Sequence, residues 1–157
     1  MQTLDLIVSA ARLAGIAPQA AAEFAARRAE MVAAVNVQML ARPDVVDLVG
    51  PDNIALMKDN HANHARFIES ILSAYHPEAL VDTVLWVFRA YRSRGFKTRY
   101  WAAQLNTWVD IFEQTLSAST CNAIEPLYDW MIVNIPHFTN LTDHPSRTVG
   151  RHIDPGQ

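Results

Sequence analysis

The sharpest chemical feature of the sequence is the string Asn60-His61-Ala62-Asn63-His64. Stepped at helical spacing, Met57, His61, His64, Ile68, Ile71 and Tyr75 fall on one stripe. Both imidazoles therefore join an otherwise apolar face. Two histidines three residues apart share a side of a helix and can meet one ligand. Each needs a partner, because an unpaired buried polar group costs about 1–3 kcal/mol. Backbone carbonyls, waters, a metal, or a ligand's carboxylates or pyrrole nitrogens would all serve, and so would ordinary core neighbours. A metal requires further ligands. The nearby Asp59 lies on a different face, so no metal site is expected.

The second feature is the stretch from Asp82 to Trp101, which interleaves Trp86, Phe88, Tyr91, Phe96, Tyr100 and Trp101 with Arg89, Arg92, Arg94, Lys97 and Arg99. Five of the 13 Lys+Arg residues fall between Arg89 and Arg99. As a helix, the segment places Asp82, Trp86, Arg89 and Ser93 on one face. Val81, Val84, Leu85, Phe88, Tyr91 and Arg92 occupy the adjacent apolar face. Guanidinium forks suit carboxylates and stack on aromatic rings. A flat, conjugated, anionic ligand would match this chemistry. A core helix whose arginines are solvated or paired is the plainer alternative.

The elements that must position these residues read as helices. Apolar residues recur at three and four, prolines stand at plausible helix starts, and glycines at plausible ends. Helical segments are expected over Thr3 to Leu13, Pro18 to about Leu40, Asp44 to Val49, Asp52 to Tyr75, Pro77 to Arg94 and Arg99 to Ala118. A last one runs from near Thr120 or Pro126 to Ile135. Phe24, Met31, Val35 and Met39 mark the buried side of the second. Trp101, Leu105, Trp108, Val109, Phe112 and Leu116 mark that of the sixth. Thr98 is expected to cap the sixth, and Pro136 to end or kink the last. No run alternates at two. One all-α domain of six to eight helices over residues 1–141 is expected, with a flexible tail over 142–157.

Composition bounds the function. The chain has 157 residues, half of them hydrophobic, with 13 Lys+Arg against 16 Asp+Glu. Its formal charge of −3 argues against a nucleic-acid binder working by bulk electrostatics. A single cysteine, Cys121, excludes an internal disulfide and cysteine-based zinc sites. No signal peptide or apolar spanning segment is apparent, so a cytoplasmic protein that does not enter membranes is expected. No nucleophile elbow, phosphate-binding loop or zinc signature is present, and the chain does not read as an enzyme.

The helix order, together with His61-Ala62-Asn63-His64-Ala65-Arg66-Phe67, the segment from Val81 to Phe96 and that from Tyr100 to Trp108, resembles the globin superfamily in its phycobiliprotein and non-heme sensor branches. The likeness covers about residues 20–138. Such non-heme globins occur fused ahead of cobalamin-binding domains and as short proteins beside bilin-biosynthesis genes. The chain carries no cobalamin domain, and looks closer to the free-standing bilin biosynthesis-associated globins.

The resemblance implies a globin-like or phycobiliprotein-like bundle that binds a linear tetrapyrrole, such as biliverdin or a reduced phycobilin, as carrier, trap or accessory protein. His61 and His64 would face pyrrole nitrogens or lactam carbonyls, and Asp82 pyrrole N–H groups. Arg89, Arg92 and Arg99 would take the propionates, with Trp86, Tyr91, Tyr100 and Trp101 as walls. The helix from Pro77 lacks an iron-binding histidine beyond His76 at its start, so no heme is expected. No cysteine lies between His64 and Gly95, so the bilin would be held non-covalently. Heme oxygenase or a bilin reductase would be partners, and a homodimer is compatible with the family. A stressosome-like sensory or interaction module, an enzyme using His61 and His64 as acid and base, and a heme globin are the alternatives.

Overall fold

The computed structural model describes residues 2–13 and 18–143. Over these the chain is all-helical, with eight helices: α1 (Thr3–Ala10), α2 (Pro18–Leu40), α3 (Val45–Val49), α4 (Ile54–Ser73), α5 (Pro77–Arg92), α6 (Arg99–Thr115), α7 (Ala118–Val133) and α8 (Ile135–Asp143). Several boundaries follow the proline and glycine marks. Pro77 opens α5, where its missing N–H costs nothing, and His76 Nδ1 accepts the Ala79 N–H at 3.2 Å. Gly50 ends α3 at φ +97° and Gly95 follows α5 at φ +98°, conformations that suit a residue without Cβ.

Some boundaries differ from expectation. The first helix stops at Ala10 rather than Leu13, and α4 starts at Ile54 rather than Asp52. Thr98 precedes α6, but its side chain makes no capping bond. Ser117 caps α7 instead, accepting the Thr120 N–H at 3.3 Å, and Glu23 of α2 accepts the Ser117 N–H at 2.6 Å. Pro126 lies inside α7. Asn134 separates α7 from α8, which carries the fold to Asp143, past the expected end of the domain at 141. The rest of the expected tail lies outside the described residues.

The core forms where the sequence stripes converge. Phe24, Met31, Val35 and Met39 of α2 are fully buried, as is Trp108 of α6. The central α2 packs on α4, α6 and α7. By contrast α5 packs on α1 and α8. Helices α4 and α5, although joined by the short connector 74–76, pack on different partners. Their far ends are tied again by Asn53, whose Nδ2 donates at 2.8 Å to both the Val49 and Arg94 carbonyls. A further tie, from the Lys97 N–H to the Leu48 carbonyl at 2.8 Å, fixes α3 to the α5–α6 turn. The crevice between α4 and α5 is thus pinned at both ends.

Two tryptophans mark the difference between core and crevice. Trp108 is 0% exposed, whereas Trp86 on α5 is 65% exposed. Trp108→Ala is expected to destabilise the protein by about 3–5 kcal/mol, and Trp86→Ala to change stability by no more than about 0.5 kcal/mol. Denaturant unfolding of both variants checks this contrast; a loss of several kcal/mol in Trp86→Ala would contradict it.

Candidate functional site

Between α4 and α5 lies a cavity of about 370 Å³, backed by α6 and α7. From α4 it is lined by Asn60, Asn63, His64 and Phe67, and from α5 by Thr83, Val84, Trp86, Val87, Phe88 and Tyr91. Trp101, Gln104 and Leu105 of α6 and Met131 of α7 complete it. Trp86 and Asn63 are exposed and mark the mouth; Phe88, Trp101 and Gln104 are buried and form the back. The wall is aromatic and aliphatic, with a few polar groups and no ionised carboxylate or guanidinium. Its size falls at the lower end of small-molecule sites, roughly 300–1,000 Å³.

His64 is the titratable centre of this wall. Its Nε2 lies 2.7 Å from the Tyr128 hydroxyl, and its ring lies 5.3 Å from that of Trp108. Burial, then the neighbouring His61, pushes its pKa down to about 3. Burial holds the Tyr128 phenol well above its ordinary range. The pair is therefore a neutral imidazole joined to a neutral phenol by one hydrogen bond.

His61, three residues earlier, faces elsewhere. Three residues turn an α-helix by about 300°, which leaves the two side chains roughly 60° apart. His61 therefore enters the α2–α4 interface, 0% exposed, with Nδ1 2.6 Å from Asn36 Oδ1. The Asn36 oxygen accepts, so Nδ1 carries the proton, and Nε2 has no partner among the described residues. Burial pushes the His61 pKa down to about 4. The two imidazoles share a helix side, as their spacing requires, but do not converge on one space.

The other expected site residues divide in the same way. Trp86, Tyr91 and Trp101 join His64 in the cavity wall. Tyr100 does not: it turns into the core and donates to Asn60 Oδ1 at 2.7 Å. Asp82 is exposed and outside the wall. Arg89 donates to the Leu141 carbonyl at 3.4 Å. Arg92 donates to the Thr139 carbonyl at 3.2 Å and to Thr142 Oγ1 at 2.9 Å, and pairs with Asp143. Both arginines thus serve the C-terminal end of α8, whose last carbonyls lack helical donors. Arg99 pairs with Asp47 at 2.7 Å, beside Lys97 at 2.6 Å. None of the three arginines lines the cavity. The cation beside its mouth is Arg66, whose Nη1 lies 3.3 Å from Asn63 Oδ1.

Several wall residues escape a reading of the sequence. Asn60 stands one turn before His64, and Gln104 one turn after Tyr100. Lone amides in helices read as surface, yet Asn60 is 2% and Gln104 1% exposed. Asn60 Oδ1 accepts from both Tyr100 and Gln104, the latter at 3.1 Å. Gln104 Oε1 and Trp101 Nε1 remain without partners among the described residues. Each such atom costs about 1–3 kcal/mol if left unsatisfied. No group of three or more His, Cys, Asp or Glu among the described residues is placed to hold a metal ion. No helix there is long and apolar enough to cross a membrane.

The two lowered histidine pKa values fix a pH dependence. Unfolded histidine titrates near 6.5, so between about pH 6.5 and 4 the unfolded chain binds more protons than the folded one. Stability contributed by the neutral imidazoles is complete above about pH 6.5 and is lost as pH falls toward 4 and then 3. Each contributes a slope of up to about 1.4 kcal/mol per pH unit. Denaturant unfolding from pH 7 to 4.5 should show this loss, and His61→Gln/His64→Gln should flatten it. An unchanged slope in the double variant would contradict the assignment. Comparison of the chain with protein-family models, curated proteins and solved structures finds no match.

Proposed function

We propose that this chain is a globin-like binding protein that holds a linear tetrapyrrole non-covalently in the α4–α5 cavity. The observation that carries the reading is the crevice itself: an aromatic-lined, uncharged cavity between α4 and α5, with a neutral imidazole in its wall. A flat conjugated body is recognised by such walls through stacking and burial, with a few polar atoms setting its orientation. Trp101 stacks on Phe88 at 4.6 Å between ring centres, so the back wall is a rigid aromatic surface. Trp86 at the mouth supplies a face to close over the outer rings. The carboxylates of the pigment belong at the mouth, where Arg66 stands, rather than with Arg89, Arg92 and Arg99, which are engaged elsewhere. His64, with Nε2 bound to Tyr128, offers Nδ1 to the pigment. The chain acts as carrier, trap or accessory protein beside the enzymes that cleave heme or reduce bilins.

A second reading, the sensory or interaction module, is favoured by Leu4 and Val8. They lie one turn apart on α1 and are 68% and 50% exposed. Such an apolar strip suits contact with another protein. Sedimentation of the wild type and of Leu4→Glu/Val8→Glu separates it from the carrier reading: a dimer lost in the variant supports the module, and a wild-type monomer opposes it.

Titration of the purified chain with biliverdin tests the carrier reading. A sharpened, shifted visible band and quenched tryptophan fluorescence are expected, and acid–urea should release the pigment, as non-covalent binding requires. Trp86→Ala should weaken binding by about tenfold, the loss of one stacking contact. Hemin added in parallel should give no histidine-ligated Soret band. An unchanged biliverdin spectrum would overturn the reading.

A further inference from the structure

Tyr128 settles which nitrogen of His64 carries the proton. The two side chains are joined by one hydrogen bond, 2.7 Å from His64 Nε2 to the Tyr128 hydroxyl. Tyr128 is 1% exposed, and its hydroxyl has no other partner among the described residues. If Nε2 donated, the phenol O–H would be buried with nothing to accept it, which is costly. The phenol therefore donates, Nε2 accepts, and in the neutral ring the proton sits on Nδ1. Burial keeps that ring neutral far below pH 7.

Nδ1 is open to the cavity. The sealed polar atoms without partners among the described residues are His61 Nε2, Trp101 Nε1, Gln104 Oε1 and Trp108 Nε1. His64 Nδ1 and Asn60 Nδ2 also bond to none of the described residues, but both keep accessible surface, in side chains that line the cavity. Asn60 stands one turn before His64 on α4 and is 2% exposed. Its Oδ1 accepts from Tyr100 and Gln104, which fixes the amide with Nδ2 as the free end. The imidazole and the amide thus both offer N–H donors. Thr83 and Tyr91 add hydroxyls, which rotate to serve either role.

We infer that His64, its tautomer set by Tyr128, donates Nδ1–H to a neutral acceptor on a flat aromatic ligand, a carbonyl oxygen or an unprotonated ring nitrogen. A ligand N–H at that place would meet a second N–H. A carboxylate accepts, but its charge would be buried in a wall without a cation. Arg66 at the mouth is the place for it. Tyr128 acts through His64 and is a positioning residue. The inference rests on the reading of this cavity as a ligand site, and adds which chemical edge meets His64. For a bilin that edge is an end-ring carbonyl or the ring nitrogen that lacks a hydrogen.

Fluorenone, carbazole and fluorene test it on the full chain. They share one flat shape and carry, at the same bridging position, a carbonyl, an N–H or a methylene. Binding is read by equilibrium dialysis, with biliverdin measured alongside, and the His64 tautomer by nitrogen NMR of histidine-labelled protein. Fluorenone should bind at least roughly tenfold more tightly than carbazole, with fluorene between them. His64 should show Nδ1 protonated and Nε2 bare at neutral pH. Tyr128→Phe should mix the two tautomers and shrink the fluorenone preference at least roughly threefold. His64→Leu should abolish the preference. An Nε2-protonated His64 in the wild type overturns the inference. So does biliverdin binding with no fluorenone preference, or with none of the three probes bound; either leaves the carrier reading standing. A fluorenone preference without biliverdin binding keeps the inference and overturns the tetrapyrrole reading. Failure of every ligand overturns both.

Discussion

The feature on which the site depends is that α4 and α5 are tied at their ends while each packs on different helices. The connector 74–76 joins them at one end, and Asn53 bridges to the Arg94 carbonyl at the other. Between these ties each helix answers to a different part of the core: α4 to α2, and α5 to α1 and α8. Two helices with mutually complementary stripes would close on each other and exclude solvent. Here the facing positions carry Asn63, His64, Thr83 and Trp86 at the rim and Phe88 and Tyr91 farther in. Polar atoms on these positions discourage closure, and the aromatic residues behind them make the opened space apolar.

The polar groups around the cavity are unevenly partnered. Asn60 Oδ1 accepts from Tyr100 and Gln104, and His61 has one bond to Asn36. His64 has one to Tyr128. Gln104 Oε1 and Trp101 Nε1 have none among the described residues. His61 Nε2 in the α2–α4 interface and Trp108 Nε1 in the core are likewise without partners among the described residues. Buried polar atoms without partners are few in native proteins, and each costs about 1–3 kcal/mol.

Helix faces were legible in the sequence because periodicity reports burial directly: the stripes of α2 and α6 are buried as read, except that Val109 is only half-buried. The site was legible only in part. His64, Trp86, Tyr91 and Trp101 reach the cavity, because an apolar stripe carrying an imidazole or an aromatic implies a wall. His61 does not, since an offset of about 60° decides between two interfaces and spacing alone does not choose. The arginines of α5 find their partners on α8, 47–52 positions along the chain, a distance at which local pattern is silent. Gln104 gave no signal at all, because an amide in a helix reads as solvated until the fold buries it.

The central claim is that the α4–α5 cavity receives the flat body of a tetrapyrrole. Visible circular dichroism of biliverdin mixed with the chain tests it most directly, because a pigment held in a chiral protein wall acquires an induced signal and a free one shows little. The account predicts an induced signal that saturates with a single pigment per chain. It should disappear in Val87→Trp, which fills the cavity from its half-buried wall position, while the far-ultraviolet helix signal is retained. Persistence of the induced signal in that variant, or its absence in the wild type, would contradict the account.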